Sequence, residues 1–166
     1  MPITPINNLG NLFPVVNYTP LTPLSNFLQK GNLITFNYVN WANDPRPLVI
    51  LTDVSPGMRI RGINLNYLTF NYIKNILLSN CNNVGFSYSN IKGDAYIVSA
   101  FRSYKWQGIQ QLRKLDCKFL LSVMSVVRSF DPNEIKMIRQ SVREQIQQQI
   151  SPKAEAGEIP NYGING

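Results

Sequence analysis

Apolar and polar positions show their clearest order between residues 33 and 68. The runs Leu33–Val39, Pro47–Asp53 and Ile60–Leu68 are rich in β-branched and aromatic residues, and turn-forming residues separate them. Asn43-Asp44-Pro45-Arg46-Pro47 interrupts the first pair, because two prolines forbid regular ladder pairing there. Ser55-Pro56-Gly57-Met58 interrupts the second, with proline and glycine where a type II turn needs them. The three runs predict a small antiparallel meander over residues 32–66. In its third strand Ile60, Gly62 and Asn64 share one face and Arg61, Ile63 and Leu65 the other. Gly62 marks a bulge or a sharp bend.

The period then lengthens. Ile73, Ile76 and Leu77 stand at helical spacing and predict a short helix within residues 67–79, ended by Asn80. Residues 95–106 fit helix or strand, and helix is the expectation. From Gly108 the apolar series Ile109, Leu112, Leu115, Phe119, Val123, Val126 and Phe130 steps by three and four, while the β-branched tract Val123–Val127 favours a strand. Asp131-Pro132-Asn133-Glu134 combines an N-cap carboxylate, a first-turn proline and a glutamate at N3, so a helix should run over residues 131–150. Its stripe of Ile135, Ile138, Val142 and Ile146 is narrow enough to pack on one neighbour, either another subunit or the chain's own body.

Both ends look extended. Pro2, Pro5, Pro14, Pro20 and Pro23 block helix over residues 1–31, yet Leu12, Phe13, Val15 and Val16 make that arm apolar. An apolar arm belongs on a surface, and a partner subunit is the expected one, with the core folding without it. Residues 151–166 form a second tail rich in proline and glycine. The resulting plan is an arm (1–31), a β core with helices (32–130), a helix (131–150) and a tail (151–166). In fold class it is α+β: a small SH3-like antiparallel barrel or meander with flanking helices, a long C-terminal helix and extended arms at both ends.

Composition narrows the function. The 166 residues are 44% hydrophobic and only 15% charged, enough to bury a real core but poorer in charge than the roughly one quarter of an ordinary domain. Asparagine takes up the difference, which suits burial in an assembly or simply codon bias. Sixteen Lys and Arg against nine acids leave a formal +7, a field that favours anionic partners. Arg102, Lys105, Arg113, Lys114 and Lys118 cluster in sequence, and Phe101-Arg102-Ser103-Tyr104-Lys105-Trp106 alternates rings with cations. That pattern suits nucleic acid, or a solvated face with the rings turned inward. Arg59 and Arg61 beside a turn are a second basic candidate. Cys81 and Cys117 match no metal spacing and no disulfide framework, so reduced, buried thiols are expected. No signal-like segment opens the chain and no apolar run reaches the length of a membrane span, so a protein made in a cytoplasm, with no membrane partner, is expected.

Chemistry is thin. With no histidine the usual general base and principal zinc ligand are missing, and the scattered acids form no paired carboxylate motif. No phosphate-binding loop, dinucleotide glycine run or nucleophile elbow occurs. The expectation is a non-enzyme with no cofactor and no metal.

The series Leu33-Ile34-Thr35-Phe36-Asn37-Tyr38, Arg46-Pro47-Leu48-Val49-Ile50 and Arg61-Gly62-Ile63-Asn64-Leu65-Asn66-Tyr67-Leu68, followed by Phe101-Arg102-Ser103-Tyr104-Lys105, resembles a family. It is similar to small virion proteins of contractile-tailed bacteriophages, many of them labelled DNA end protectors. The likeness spans residues 32–118 and is most specific over Gly62–Leu68. The family's acidic-aromatic insert between the first two strands is shortened here to Asn43-Asp44-Pro45. Its proline pair after Tyr-Leu is replaced by Thr69-Phe70, and the helix after Asp131 has no counterpart. The resemblance implies a virion protein of the neck, tail or baseplate, with other virion proteins of a symmetric assembly as partners. Subunit contacts would come from Leu12, Phe13, Val15, Val16, Ile135, Ile138, Val142 and Ile146. The alternative is a DNA-binding accessory protein that uses the five clustered cations on double-stranded genome ends.

Overall fold

Three apolar runs separated by turn residues do pair, and they form the middle of a larger sheet. The computed structural model describes residues 15–55 and 59–128, together with Asp131 and nine helical positions between 133 and 148. The chain divides into two units, residues 1–130 and 131–166. The first is α+β. Its strands are β1 (Val15–Asn17), β2 (Leu33–Tyr38), β3 (Leu48–Ser55), β4 (Arg59–Asn64), β5 (Phe101–Lys105) and β6 (Ile109–Leu115). Its helices are α1 (Leu24–Phe27), α2 (Phe70–Asn80), α3 (Ala95–Val98) and α4 (Cys117–Val126). All pairings are antiparallel, in the order β1-β6-β2-β3-β4-β5.

The sheet cannot be flat. Four strand spacings, about 19 Å, would separate β5 from β6 in a plane. Only the 3-10 turn Trp106–Gly108 joins them, which spans at most about 14 Å. The sheet therefore curls, and the rings of Phe36 on β2 and Tyr104 on β5 meet at 5.0 Å. A bulge helps: Leu51 pairs with Gly62 and Asp53 with Arg61, leaving Thr52 as the extra residue of β3. Gly62 is required by close approach, since a Cβ there would stand 2.3 Å from the Ile50 carbonyl oxygen.

Both sheet faces are buried, which explains the unbroken run Leu48-Val49-Ile50-Leu51. Ile34, Phe36, Val49, Leu51, Ile60, Tyr104 and Leu112 pack inside the curl. The register puts Leu33, Ile50 and Ile63 in one row on the opposite face. All three are fully buried, and the buried Ile73, Ile76 and Leu77 of α2 and Leu120, Val123 and Met124 of α4 supply the apolar cover.

Several expectations change. Residues 15–31 are not a free arm: β1 pairs with β6, and Phe27 (6% exposed) and Leu28 (2%) complete the inner core. Burial on the chain's own sheet answers the same hydrophobic demand that a partner would have met. Helix was expected over residues 95–106, and from Gly108 onward helix and strand were both open. The chain instead forms α3, β5 and β6, because Ile63 pairs with Phe101 and Leu33 with Leu115, and ladder partners override the three-four spacing. The β-branched tract falls in α4, whose N-cap Asp116 accepts from Lys118 N and Phe119 N. Cys81 and Cys117 are not free thiols. They form a disulfide with a Cα–Cα distance of 5.8 Å, joining the residue after α2 to the first of α4. Sequence spacing could not show this, because only the packing of α2 beside α4 brings the two together.

In the second unit Asp131 Oδ1 accepts from Asn133 N at 2.8 Å. Ile135, Ile138, Val142, Ile146, Leu12, Phe13, the turn residues 56–58 and the tail 151–166 lie outside the described residues. No helix among the described residues is long and apolar enough to cross a membrane.

Candidate functional site

One end of the curled sheet carries polar groups where the rest of its interior is apolar. The register row Val16–Lys114–Ile34–Val49 ends on Asn64, so this asparagine points inward from the last position of β4. Its amide is fully used. Oδ1 accepts from Asn66 N at 3.0 Å, and Nδ2 donates to Asp44 Oδ2 and to the Tyr104 hydroxyl at 3.0 Å. The 3-10 turn Leu65–Tyr67 follows, and Asn66 Nδ2 donates to Asp44 Oδ1 and to the Arg46 carbonyl, both at 3.2 Å. Asp44 thus sits at the centre of a buried amide network.

The loop that brings Asp44 here is pinned at its base. Tyr38 N donates to the Pro45 carbonyl at 2.9 Å and Val39 N to the Gly108 carbonyl at 3.0 Å. Gly108 permits that approach, since a Cβ would meet Asn40 and Tyr38 side-chain atoms at 2.6 and 2.8 Å. Above the network opens a cavity of about 460 Å³, walled by Tyr38, Trp41, Tyr67 and Tyr104 and edged by Asn40, Ser103 and Arg102. Tyr38 and Tyr104 meet edge to face at 5.0 Å. The Arg102 guanidinium lies 4.5 Å from the centre of the Tyr67 ring while its Nη1 donates to the Ser99 and Phe101 carbonyls.

Burial dominates the electrostatics of the site. Burial raises the Asp44 carboxyl above its ordinary range, against the lowering influence of the Asn64 and Asn66 amides and of Arg102. Burial also pushes the Tyr104 phenol up, so it stays protonated at neutral pH. The hydrogen-bond partners of Asp44 are amides, which neither take nor give protons in this range.

The five clustered cations are spread over three elements: Arg102 and Lys105 lie on β5, Arg113 and Lys114 on β6 and Lys118 on α4. Lys114 donates to the Phe27 carbonyl at 2.9 Å and covers that ring at 4.8 Å, so it is a core cap. Lys118 is exposed on α4. Arg59 stands opposite Lys105 and Arg61 pairs with Asp53 at 3.4 Å, both on the outer face. Of the subunit-contact candidates, Val15 and Val16 are described; their side chains are exposed while their backbones pair with β6. Trp41, Asp44, Asn64 and Asn66 escaped the sequence reading. Their signal was present, because Asn64 and Asn66 interrupt an apolar run at positions that must be buried, and buried amides need partners.

Comparison of the chain with protein-family models, curated proteins and solved structures finds no match in any of the three.

Proposed function

We propose that the chain is a non-enzymatic structural component of a tailed-bacteriophage virion, in its neck, tail or baseplate region. In this reading it is built on an SH3-like barrel and bound to neighbouring subunits through its arms and last helix. The consecutive strands β2, β3, β4 and β5, then a 3-10 turn and a strand returning to β2, support the barrel. The observation that carries the assembly is β1. It ends the sheet order, pairs only with β6 among the described residues, and exposes Val15 and Val16 where residues 1–14 lead in. An apolar edge strand is a template for another chain. The disulfide agrees with a protein that works outside a reducing cytoplasm, as a particle component does.

The alternative, engagement or protection of double-stranded genome ends, draws support from charge. Residues 1–130 hold twelve Lys and Arg against four Asp, a formal +8. All four acids are engaged, two as helix caps, one with Arg61 and one in the buried network. Of the five clustered cations, Lys114 is held by the Phe27 carbonyl and Arg102 by the Ser99 and Phe101 carbonyls, which weighs against a continuous phosphate track. Mass spectrometry of purified particles that encode the chain decides between the readings. A fixed stoichiometry retained at high salt is the expected result; loss together with DNA at moderate salt favours the accessory role, and absence from particles refutes both.

A further inference from the structure

The geometry points to a second binding function: the aromatic cavity at the Asp44 end of the sheet is a slot for a nucleobase of single-stranded nucleic acid. Three observations converge on it. Its walls are flat rings, Tyr38, Trp41, Tyr67 and Tyr104, and Trp41 stands at the mouth with 54% of its surface exposed. Aromatic faces recognise any base by stacking. Its floor pairs an acceptor, the Asp44 carboxyl that lines the cavity, with a donor, the Tyr104 hydroxyl, which accepts from Asn64 and keeps its own proton to give. A base edge needs such a mixture of donors and acceptors.

Charge supplies the third observation. Arg102 lines the cavity, Arg46 is exposed on the loop that carries Asp44, and the surrounding unit carries +8. The one acid in the site is balanced by the Asn64 and Asn66 amides, so Arg102 and Arg46 are left to meet a backbone of phosphates. An uncharged aromatic ligand would leave these cations without use, and a base stacked inside a duplex could not enter. The inference rests on the cavity and is independent of β1 and its proposed role in assembly.

The test is fluorescence polarisation of a labelled, short, mixed-sequence single strand titrated with the full-length oxidised protein. The single strand should bind more tightly than a duplex of equal length. Trp41→Ala should weaken it by about ten-fold or more, the usual worth of one stacked base, with Trp41→Phe restoring much of the loss. The salt dependence should be unchanged in Trp41→Ala but shallower by about one unit of slope in Arg46→Ala, which loses a phosphate contact. Far-UV spectra and melting of the Trp41 variants should match the parent, because the ring is over half exposed. Equal affinity for duplex with no effect of Trp41→Ala overturns the proposal. So does competition by a neutral oligosaccharide with no response to oligonucleotide.

Discussion

On the face of the sheet covered by α2 and α4, Leu33, Ile50 and Ile63 form a row of fully buried aliphatics, and a disulfide ties the two helices together. On the inner face the neighbouring row begins the same way, with Ile34 and Val49, and then ends on Asn64 and a buried carboxylate. The same three strands therefore serve a closed side, where packing and a covalent bond leave nothing for a ligand, and an open end where polar groups are retained at a cost. A buried Asp44 without an ion-pair partner among the described residues is costlier than a leucine in its place. Stability alone does not account for it; a site that holds fixed donors and acceptors, as proposed for the cavity, would.

The inner core is the place to break the comparison most forcefully. Deleting residues 1–28 removes β1, α1, Phe27 and Leu28, and the loss should unfold the first unit. Phe27→Ala alone should lower the unfolding free energy by about 3–5 kcal/mol, a large share of the roughly 5–15 kcal/mol that holds a domain together. Denaturant titration followed by far-UV circular dichroism reads both. A truncated chain that still unfolds cooperatively would return residues 15–28 to the status of a detachable arm.

Next in size is the closed side. Cys81 and Cys117 are 36 residues apart, and cross-linking a loop of that length stabilises by about 4 kcal/mol in the chain-entropy account. Replacing both cysteines by serine, or reducing the parent, should move the guanidinium midpoint down accordingly. Binding at the Asp44 end should survive under conditions where the fold does. If reduction instead changed binding with the fold intact, the two ends would be coupled and the contrast between them lost.

The strands of the meander were legible because Leu33–Val39 and Pro47–Asp53 are apolar enough to mark a sheet buried on both faces, and Gly62 announced its own crowding. Helix α2 was legible from Ile73, Ile76 and Leu77. β5 and β6 were not: Phe101–Lys105 carries its rings at a spacing either element can use, and the deciding partners, β4 and β2, lie dozens of residues upstream. Asparagine was read as surface character, whereas Asn32, Asn83 and Asn90 accept backbone N–H groups in turns, and Asn64 and Asn66 build the site. The site stayed hidden for the same reason as β5. Asp44 looks like a turn residue until the curl of the sheet sets it against Asn64.

That pairing can be probed directly. Asn64→Ala leaves the Tyr104 hydroxyl and Asp44 Oδ2 without their shared donor, and the loss of a buried partner costs about 1–3 kcal/mol. Urea unfolding should show that drop. Amide exchange should quicken around Asp44 and Tyr67 while α2 and α4 keep their protection, since the closed side does not share the network.

The smallest effect distinguishes a strained carboxylate from an ordinary one. Asp44 holds its proton more tightly folded than unfolded, where its value is 3.8. Between 3.8 and the raised folded value the native state therefore binds more protons than the unfolded state, so this group adds stability as pH falls through that window. A carboxylate lowered by an ion pair does the reverse. Other groups also titrate there, so the useful quantity is the unfolding free energy of the parent minus that of Asp44→Asn, measured in urea from neutral pH downward. The difference should shift in favour of the parent as pH drops towards 3.8 and level off below it. A difference that is flat, or that moves towards the variant, would mean that the amide network stabilises the charged form fully, and that the open end is no costlier to the fold than the closed one.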